Sequence, residues 1–342
     1  MKPGVCFIIV DASPTIGMGH LSRCLLIGKF IDLKGWSVHF LYTKKETKNV
    51  IEKNGFKSYQ INILSVNLND FNTDINTKIV ISDINNYETF SSTQNYRKYL
   101  SSLKKQSDVL ISFEDLKDYP YQSDIVVIPY VGSNNLKVFP NNQKTKYLLG
   151  SNFFPIKNDF ERRKIISKKV SNILVTMGGS DPEKITLKVL SALNKIKISC
   201  NIYVLIGSMS KITNHEIQSS SKNIKANVII NRNINNINEL MFKADIAITN
   251  SGLTKYELAF VGVPMLIISN NQHQAKYSEI FISKGAGRHL GLNKVVSEDD
   301  ILSGYNSLLN DNMARTDMMK KGQTLVDGKG IKRIYSVISQ FL

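Results

Sequence analysis

Residues 5–28 read VCFIIVDASPTIGMGHLSRCLLIG and place an apolar run directly before a glycine-containing loop and an amphipathic segment. An apolar run of this kind, at 5–10, is typical of a strand that is buried on both faces of a parallel sheet. Gly17 and Gly19 let the loop approach a ligand closely or adopt positive φ, and a helix is expected to begin near His20. The stretch therefore predicts the first strand–loop–helix unit of an α/β fold.

The alternation of apolar runs and amphipathic segments continues along the chain. Further strands are predicted at 37–42, 78–83, 108–115 and 124–129, and then at 171–177, 201–207, 227–231, 245–250 and 264–269. Two such series in succession predict two doubly wound, Rossmann-like α/β domains. The length of 342 residues agrees with this, because it exceeds what a single core usually supports.

A polar, charged segment at 151–170 predicts the boundary between the domains. We therefore expect an N-terminal domain at 1–155 that carries the first loop, and a C-terminal domain at 156–342. The last helix, within 297–341, is a candidate for packing back on the N-terminal domain. Ligands of such folds bind at the carboxyl ends of the strands, so a substrate is expected in a cleft between the domains.

Composition narrows the class of protein. The chain has 44 basic and 28 acidic residues, a net charge of +16, which suits nucleic acid, anionic lipid or an anionic small substrate. Because lysine and asparagine recur throughout and no zinc-finger or RNP-type motif is present, a compositional bias is the simpler explanation and no nucleic-acid partner is expected. No apolar run approaches the length of a membrane span, although peripheral contact with a membrane stays open.

The cysteines and the absence of a targeting signal indicate the compartment. Cys6, Cys24 and Cys200 are odd in number, lie in apolar surroundings and lack metal-ligand spacing. They indicate a reducing compartment and no structural metal site. We therefore expect a cytoplasmic, monomeric protein that acts on a small molecule.

The first loop differs from a dinucleotide-binding fingerprint. Gly17 and Gly19 are followed by Ser22 where a third glycine would stand, and the second predicted strand ends in LYTKK without an acid for a ribose. No nicotinamide or other cofactor is therefore predicted.

His20 lies at a helix amino terminus, where the dipole favours the neutral imidazole that a general base needs; a capping or packing role is the alternative. Arg23 lies on the same helical face and could contact an anion or remain a surface residue.

Two loops of the second half suit a phosphate group. In TMGGSDPEKIT (176–186), Gly178 and Gly179 could cradle a phosphate, Ser180 and Asp181 are candidate helix caps, and Pro182 suits the first helical position. A bare Gly-Gly turn is the alternative.

The second of these loops lies within ITNSGLTKYELAFVGVP (248–264). Ser251, Gly252 and Thr254 offer N–H groups to a diphosphate at a helix amino terminus, and Glu257 could bind the ribose hydroxyls. Lys255 is expected to be solvated.

A fourth loop, SNNQHQ (269–274), offers the amides of Asn271 and Gln272 for sugar hydroxyl or acetamido groups. An ordinary polar loop would have the same composition.

Taken together, these loops resemble a known family. The motifs DASPTIGMGHLSRCL, SFEDL, LLGSNFFPIKNDF, VTMGGSDPEKIT and SGLTKYELAFVGVP followed by NNQ resemble the UDP-2,4-diacetamido-2,4,6-trideoxy-β-L-altropyranose hydrolase family of pseudaminic acid biosynthesis and its spore-coat-polysaccharide relatives. They occur in order from residue 11 to about residue 274. The first motif is the most specific, whereas the Gly-Gly and Gly-x-Pro elements occur more widely in glycosyltransferase-B folds.

The resemblance implies a glycosyltransferase-B architecture, with UDP held mainly by the C-terminal domain. It also implies that water attacks the anomeric carbon with inversion and without a metal. In that scheme His20 activates the water and Gly17 and Gly19 shape its loop. The resemblance also places Gly252, Leu253, Thr254 and Glu257 at the nucleotide and Asn271 at the sugar. Together with the loop residues, the predicted nucleotide-binding set is Gly178, Gly179, Ser251, Gly252, Leu253, Thr254 and Glu257. The predicted substrate-binding set is Gly17, Gly19, Arg23, Asp83, Tyr87, Asn271 and Gln272.

The sequence departs from the family after the strand KIVIS. The family usually shows Asp, any residue and Tyr there, whereas this chain has Asp83, Ile84 and Asn85, with Tyr87 two residues later. The sugar and the hydrolytic outcome therefore stay open. One alternative is an inverting transferase that resembles the N-acetylglucosamine transferase of peptidoglycan synthesis; another is a binding module in which His20 is dispensable.

Overall fold

Parallel β-sheets organise the chain. The computed structural model describes residues 3–13, 16–71, 77–84, 90, 92–114, 122–135, 144–157, 160–196, 199–232, 234 and 236–342, with the side chain of His273 outside the description. Contacts within the chain define two compact units, the first with residues 1–16, 20–156 and 328–342 and the second with 17–19 and 157–327.

The first unit is built on seven parallel strands in the order β3-β2-β1-β4-β5-β6-β7. The strands are β1 (Val5–Val10), β2 (Ser37–Tyr42), β3 (Lys57–Gln60), β4 (Lys78–Asp83), β5 (Val109–Phe113), β6 (Ile125–Ile128) and β7 (Lys146–Leu149). Its helices within the described residues are α1 (Gly19–Asp32), α2 (Lys45–Lys53) and α3 (Thr93–Lys105), with one more from the end of the chain. Every residue of β1 is buried, as its unbroken apolar run predicts.

The second unit repeats this plan with six parallel strands in the order β10-β9-β8-β11-β12-β13. The strands are β8 (Asn172–Thr176), β9 (Asn201–Ile206), β10 (Asn227–Arg232), β11 (Ile246–Asn250), β12 (Met265–Ser269) and β13 (Arg288–Leu292). The helices are α4 (Ile185–Leu193), α5 (Asn214–Ser220), α6 (Ile237–Lys243), α7 (Thr254–Val261), α8 (Gln272–Ser283), α9 (Glu298–Leu309) and α10 (Asn312–Leu325). The prediction of two doubly wound α/β domains is confirmed.

Each sheet has one point where the direction of winding reverses. In the first sheet, β1 pairs with β2 on one side and β4 on the other, and in the second sheet β8 pairs with β9 and β11 in the same way. The crevice at the carboxyl ends of two such central strands is where doubly wound sheets bind ligands. The loops that follow β1, β4, β8 and β11 are therefore the places to look for a site.

The last helix, α11 (Gly330–Ile338), belongs to the first unit. The indole N–H of Trp36 donates to the Tyr335 hydroxyl at 3.3 Å, and the rings of Phe30 and Tyr335 lie 5.6 Å apart edge to face. A Cβ at Gly330 would overlap the backbone carbonyl of Phe154. The helix therefore packs on its unit through a close backbone approach that requires glycine.

No helix within the described ranges combines the length and apolar character that crossing a bilayer needs.

Candidate active site

His20 and Asp83 form the centre of a polar cluster at the switch point of the first sheet. His20 is the second residue of α1, which follows β1, and Asp83 is the last residue of β4. The His20 Nδ1 lies 2.8 Å from Asp83 Oδ1, the Asp83 side chain is fully buried, and the imidazole is 22% exposed. The Arg23 Nη2 also lies 3.0 Å from His20 Nδ1, so Nδ1 has both an acceptor and a donor beside it. In the tautomer that donates from Nδ1 to the Asp83 carboxylate, Nε2 holds the lone pair that a general base uses.

Arg23 holds the Asp83 carboxylate from the other side. Its Nε and Nη2 each donate to Asp83 at 2.5 Å, and its Nη1 donates to the Tyr130 hydroxyl. The guanidinium also lies 4.9 Å from the centre of the Phe113 ring. This bidentate geometry is the strong form of the arginine–carboxylate pair.

Arg23 and Asp83 are both buried, which corrects one sequence-based alternative for Arg23. Their side chains are 2% and 0% exposed, and both are engaged with each other behind His20. The alternative that Arg23 is a surface residue is therefore wrong, and the anion that it contacts is the Asp83 carboxylate. The substrate contacts predicted for Arg23 and Asp83 stay predictions.

The electrostatics of the cluster keep Asp83 ionised. Burial alone would raise its pKa, but the charges and hydrogen bonds of Arg23 and His20 hold the pKa well below its ordinary value. The Cys24 thiol also donates to Asp83, at 3.3 Å, and burial together with the Asp83 charge raises the pKa of this thiol, so that it stays protonated. A charged carboxylate is thus available to orient His20 and to stabilise the imidazolium that forms when it accepts a proton.

In the second unit, the loop between β11 and α7 presents backbone donors at the switch point. The side-chain oxygen of Asn250 accepts from the Gly252 N–H at 3.1 Å, and its amide donates to the Met177 carbonyl at 2.6 Å. The N–H groups of Leu253 and Thr254 have no acceptor among the described residues. Such donors at a helix amino terminus can bind an anion.

Ser251 is held from two sides beneath this loop. Its hydroxyl donates to the Gln274 side-chain oxygen at 3.0 Å, and its carbonyl accepts from the Lys255 ammonium at 2.7 Å. Lys255 is only 4% exposed, so the expectation that it is solvated is wrong. Its aliphatic side chain is buried in the second unit, and its amine donates to the Ser251 carbonyl. The position of Lys255 in the helix alone does not predict this burial.

Glu257 lies one turn into α7, as the spacing predicts. Its side chain is partly exposed and makes no hydrogen bond within the described part of the chain. Burial raises its pKa to about 7, with Lys157 acting in the opposite direction. Such a carboxyl group gains from hydroxyl donors, which a ribose would supply.

The loop after β8 differs from its prediction in one respect. Helix α4 begins at Ile185 and not at Pro182, because the Asp181 carboxylate accepts from the N–H groups of Ile185 and Thr186 at 2.9 and 3.0 Å. Asp181 is therefore the capping side chain and fills the donors that a phosphate would use at α4. Gly178, with φ of 75°, and Gly179 stay candidates through their own backbone.

A residue that the sequence analysis missed supports this loop. Gly207 follows β9, and a Cβ there would overlap the carbonyl oxygens of Gly178 and Gly179. The glycine at the end of the predicted strand NIYVLIG could have drawn attention to this position. Only the close approach of the Gly178 and Gly179 carbonyls explains why a glycine is needed there.

The remaining predicted substrate contacts are placed in part. Asn271 caps α8, its side-chain oxygen accepting from the Gln274 N–H at 2.9 Å, and Gln272 is an exposed residue of the first turn. Gly17 adopts φ of 84°, and Gly19 begins α1. Asn85 and Tyr87 lie outside the described residues. Among the described side chains, no group of three or more His, Cys, Asp or Glu residues is arranged to hold a metal ion.

Two doubly wound sheets, each with polar loops at its switch point, define a protein of the glycosyltransferase-B fold. The solved structure of MurG from Acinetobacter baumannii matches with a TM-score of 0.70 at 16% identity, over 99% of this chain and 100% of MurG. At that identity the likeness concerns the fold. The model of the glycosyltransferase family 28 C-terminal domain matches residues 172–334.

Three relatives narrow the class. An uncharacterized protein of Methanocaldococcus jannaschii is 31% identical over 83% of this chain and 59% of its own length. The spore coat polysaccharide biosynthesis protein SpsG of Bacillus subtilis is 28% identical over 70% of this chain and 72% of its own. The pseudaminic acid cytidylyltransferase and UDP-2,4-diacetamido-2,4,6-trideoxy-β-L-altropyranose hydrolase of Helicobacter pylori is 28% identical over 85% of this chain and 49% of its own.

These matches confirm the family resemblance read from the motifs. The chain is a homologue of the spore-coat and pseudaminic acid proteins, and it spans about three fifths and one half of the lengths of the M. jannaschii and H. pylori proteins.

Proposed function

We propose that this protein hydrolyses a UDP-linked diacetamido-trideoxyhexose to the free sugar and UDP, in the biosynthesis of pseudaminic or a related nonulosonic acid. The observation that carries the proposal is the His20–Asp83–Arg23 cluster, in which a buried carboxylate lies 2.8 Å from Nδ1 of a partly exposed imidazole that would act as a base through Nε2. The relationship to the H. pylori protein, whose name includes this hydrolase activity, supports the substrate class.

The residues divide the reaction between them. His20 Nε2 takes a proton from water as the water oxygen bonds to the anomeric carbon, and the bond from that carbon to the diphosphate oxygen breaks with its electron pair leaving on UDP. Attack opposite the leaving group inverts the anomeric configuration. Asp83 stabilises the imidazolium that forms, and the step uses no metal.

The second unit supplies the nucleotide contacts in this proposal. The free N–H groups of Leu253 and Thr254 and the dipole of α7 would meet the charge that develops on the diphosphate. Ser251 and Gly252 hold the loop in place, Glu257 would accept from the ribose hydroxyls, and Gly178 and Gly179 would line the opposite strand end. Asn271 and Gln272 would contact the sugar.

The test is incubation of the purified protein with UDP-2,4-diacetamido-2,4,6-trideoxy-altrose and no acceptor. We expect equimolar UDP and free sugar, with the inverted anomer observed first by NMR, and no effect of EDTA. UDP release that requires an added acceptor would contradict hydrolysis, and loss of turnover in EDTA would contradict the metal-free step.

A glycosyltransferase is the second candidate, because the family 28 C-terminal domain model matches residues 172–334. In that case His20 would deprotonate an acceptor hydroxyl in place of water. A panel of UDP-sugars assayed with and without lipid-linked and glycan acceptors separates the two reactions, since only the transferase forms a glycosylated acceptor.

A further inference from the structure

Lys255 is a buried lysine that has no carboxylate partner among the described residues. It is the second residue of α7 and is 4% exposed. Its Nζ donates to the Ser251 carbonyl at 2.7 Å and lies 5.5 and 5.6 Å from the ring centres of Tyr256 and Phe281. Across the described part of the chain, no acidic side chain forms an ion pair with it. The amine therefore has one hydrogen-bond acceptor and two aromatic faces in place of a counter-charge.

This environment disfavours the protonated form of the Lys255 amine. Buried lysines are normally paired, and the positive end of a helix dipole repels a cation in the first turn. Burial accordingly lowers the pKa of Lys255 to about 7. Near neutral pH the amine thus exists partly in its neutral form.

The position of the amine gives it an electrostatic role. Ser251 directly precedes Gly252, Leu253 and Thr254, the loop whose backbone donors face an anion in the proposed function. A diphosphate on these donors would place negative charge beside the loop whose Ser251 carbonyl accepts from Lys255, and would supply a counter-charge that the described residues do not.

We propose that Lys255 is a positioning residue for the diphosphate loop and that it takes up a proton when the diphosphate of a nucleotide-sugar or of UDP binds. The protonated amine holds the Ser251 carbonyl and adds positive charge beneath the loop. This inference rests on the nucleotide assignment made above.

Other titratable groups face the same region and must be separated from Lys255. Burial lowers the pKa of His289 on β13, with Glu279 on α8 opposing and Lys255 reinforcing the shift, so that His289 is neutral at pH 7.5. Glu257 on α7 has a pKa of about 7 and would lose its proton as ribose hydroxyls bind, which gives the opposite sign. The ligand itself is ionised at this pH.

The experiment is calorimetric titration of the full chain with UDP at pH 7.5 in two buffers of different ionisation enthalpy, which counts protons exchanged on binding. If UDP raises the Lys255 pKa by about one unit, Lys255 takes up about half a proton, and Glu257 releases about a fifth of one. We expect net uptake by the unaltered protein, net release by Lys255→Met, and greater uptake by Glu257→Gln.

Variants separate the charge from the hydrogen bond and from folding. Lys255→Gln keeps an N–H donor without the charge and should lose the proton uptake as Lys255→Met does. Lys195→Met removes an exposed lysine that pairs with Asp299 and should leave the uptake unchanged. UDP affinity of Glu257→Gln should fall about fivefold from pH 7 to pH 9, and that of the unaltered protein about two- to threefold because Glu257 acts in the opposite direction. The affinity of Lys255→Met should lack this fall.

Each outcome is informative. Uptake that persists in Lys255→Met, with UDP still bound, overturns the role of Lys255 and leaves the proposed function in place. Absence of UDP binding to the unaltered protein overturns the nucleotide assignment, and the inference falls with it.

Discussion

Asp83 and Asn250 occupy equivalent positions in their two sheets. Each is the last residue of the strand that pairs with the first strand of its sheet across the switch point, and each side chain ties together the loops that meet there. Asp83 binds His20 and Arg23, whereas Asn250 joins the Met177 carbonyl to the Gly252 N–H. The charged Asp83 therefore contacts the candidate base His20, and the neutral Asn250 holds a loop that presents backbone N–H donors.

Replacement of Asp83 by Asn should lower both stability and turnover. The buried Arg23 would lose its counter-charge, which typically costs about 3–5 kcal/mol of unfolding free energy, and His20 would lose the acceptor that fixes its tautomer. Urea unfolding followed by circular dichroism measures the first effect, and UDP release measures the second. Asp299→Asn, at a side chain that is 82% exposed, is the matched control and should change neither.

Removal of the imidazole should affect turnover far more than folding. Since the His20 side chain is partly exposed, His20→Ala should keep the urea midpoint near that of the unaltered protein while kcat falls by roughly 10²- to 10⁴-fold. His215→Ala, at an exposed histidine of α5, serves as the control. Turnover of His20→Ala at the parent rate would remove the general base from the mechanism.

Gly207 should be intolerant of any side chain. Because a Cβ would overlap the carbonyl oxygens of Gly178 and Gly179, Gly207→Ala should displace that loop, weaken UDP binding and cost roughly 1–3 kcal/mol of stability. In Gly304→Ala the new Cβ meets the ends of the flexible Leu290 and Leu266 side chains and no backbone atom among its nearest contacts, so a small effect is expected. Equal UDP affinity in the two variants would argue against a supporting role for Gly207.

Glu257 should make stability fall as the pH rises. Its folded pKa of about 7 exceeds its ordinary value of 4.5, so the folded protein binds more protons than the unfolded chain between these values. Stability from this group is present below pH 4.5 and is lost through pH 7. Glu257→Gln should therefore be more stable by about 1–3 kcal/mol at pH 8 and equal at pH 4, in urea titrations.

The same variant should bind UDP more weakly, because an amide replaces the carboxylate that would accept from the ribose. Glu298→Gln, at a glutamate with a 41% exposed side chain, is the control for both measurements. An unchanged UDP affinity in Glu257→Gln would contradict the ribose contact while leaving the stability prediction intact.

The interior strands of both sheets could be predicted from sequence, as could the edge strand β10, whereas the other three edge strands could not. The buried strands β1, β4, β8 and β12 are unbroken apolar or nearly apolar runs, and the predictions match them within one or two residues. The three strands that were missed, β3, β7 and β13, all lie at sheet edges, where partial exposure admits polar residues such as those of KSYQ.

The sequence predicted which residues belong to the candidate site, but not which side chains they contact. His20 was found from its place after two glycines, yet nothing local shows that Asp83, 63 positions away, faces it. The burial of Lys255 and the start of α4 at Ile185 were missed for the same reason, because local spacing favours a solvated lysine and a proline at the first helical position. Long-range contacts decided each of these roles.

The burial of Lys255 carries a stability penalty that the fold tolerates. The unfolded chain binds its proton up to about pH 10.5 and the folded chain only to about pH 7, so stability should rise between these values. Lys255→Met should be more stable than the unaltered protein by about 2–5 kcal/mol at pH 7 in urea unfolding, and should lack this rise. If Lys255→Met has a higher free energy of unfolding but a lower affinity for UDP, Lys255 lowers the stability of the folded protein and contributes to ligand binding.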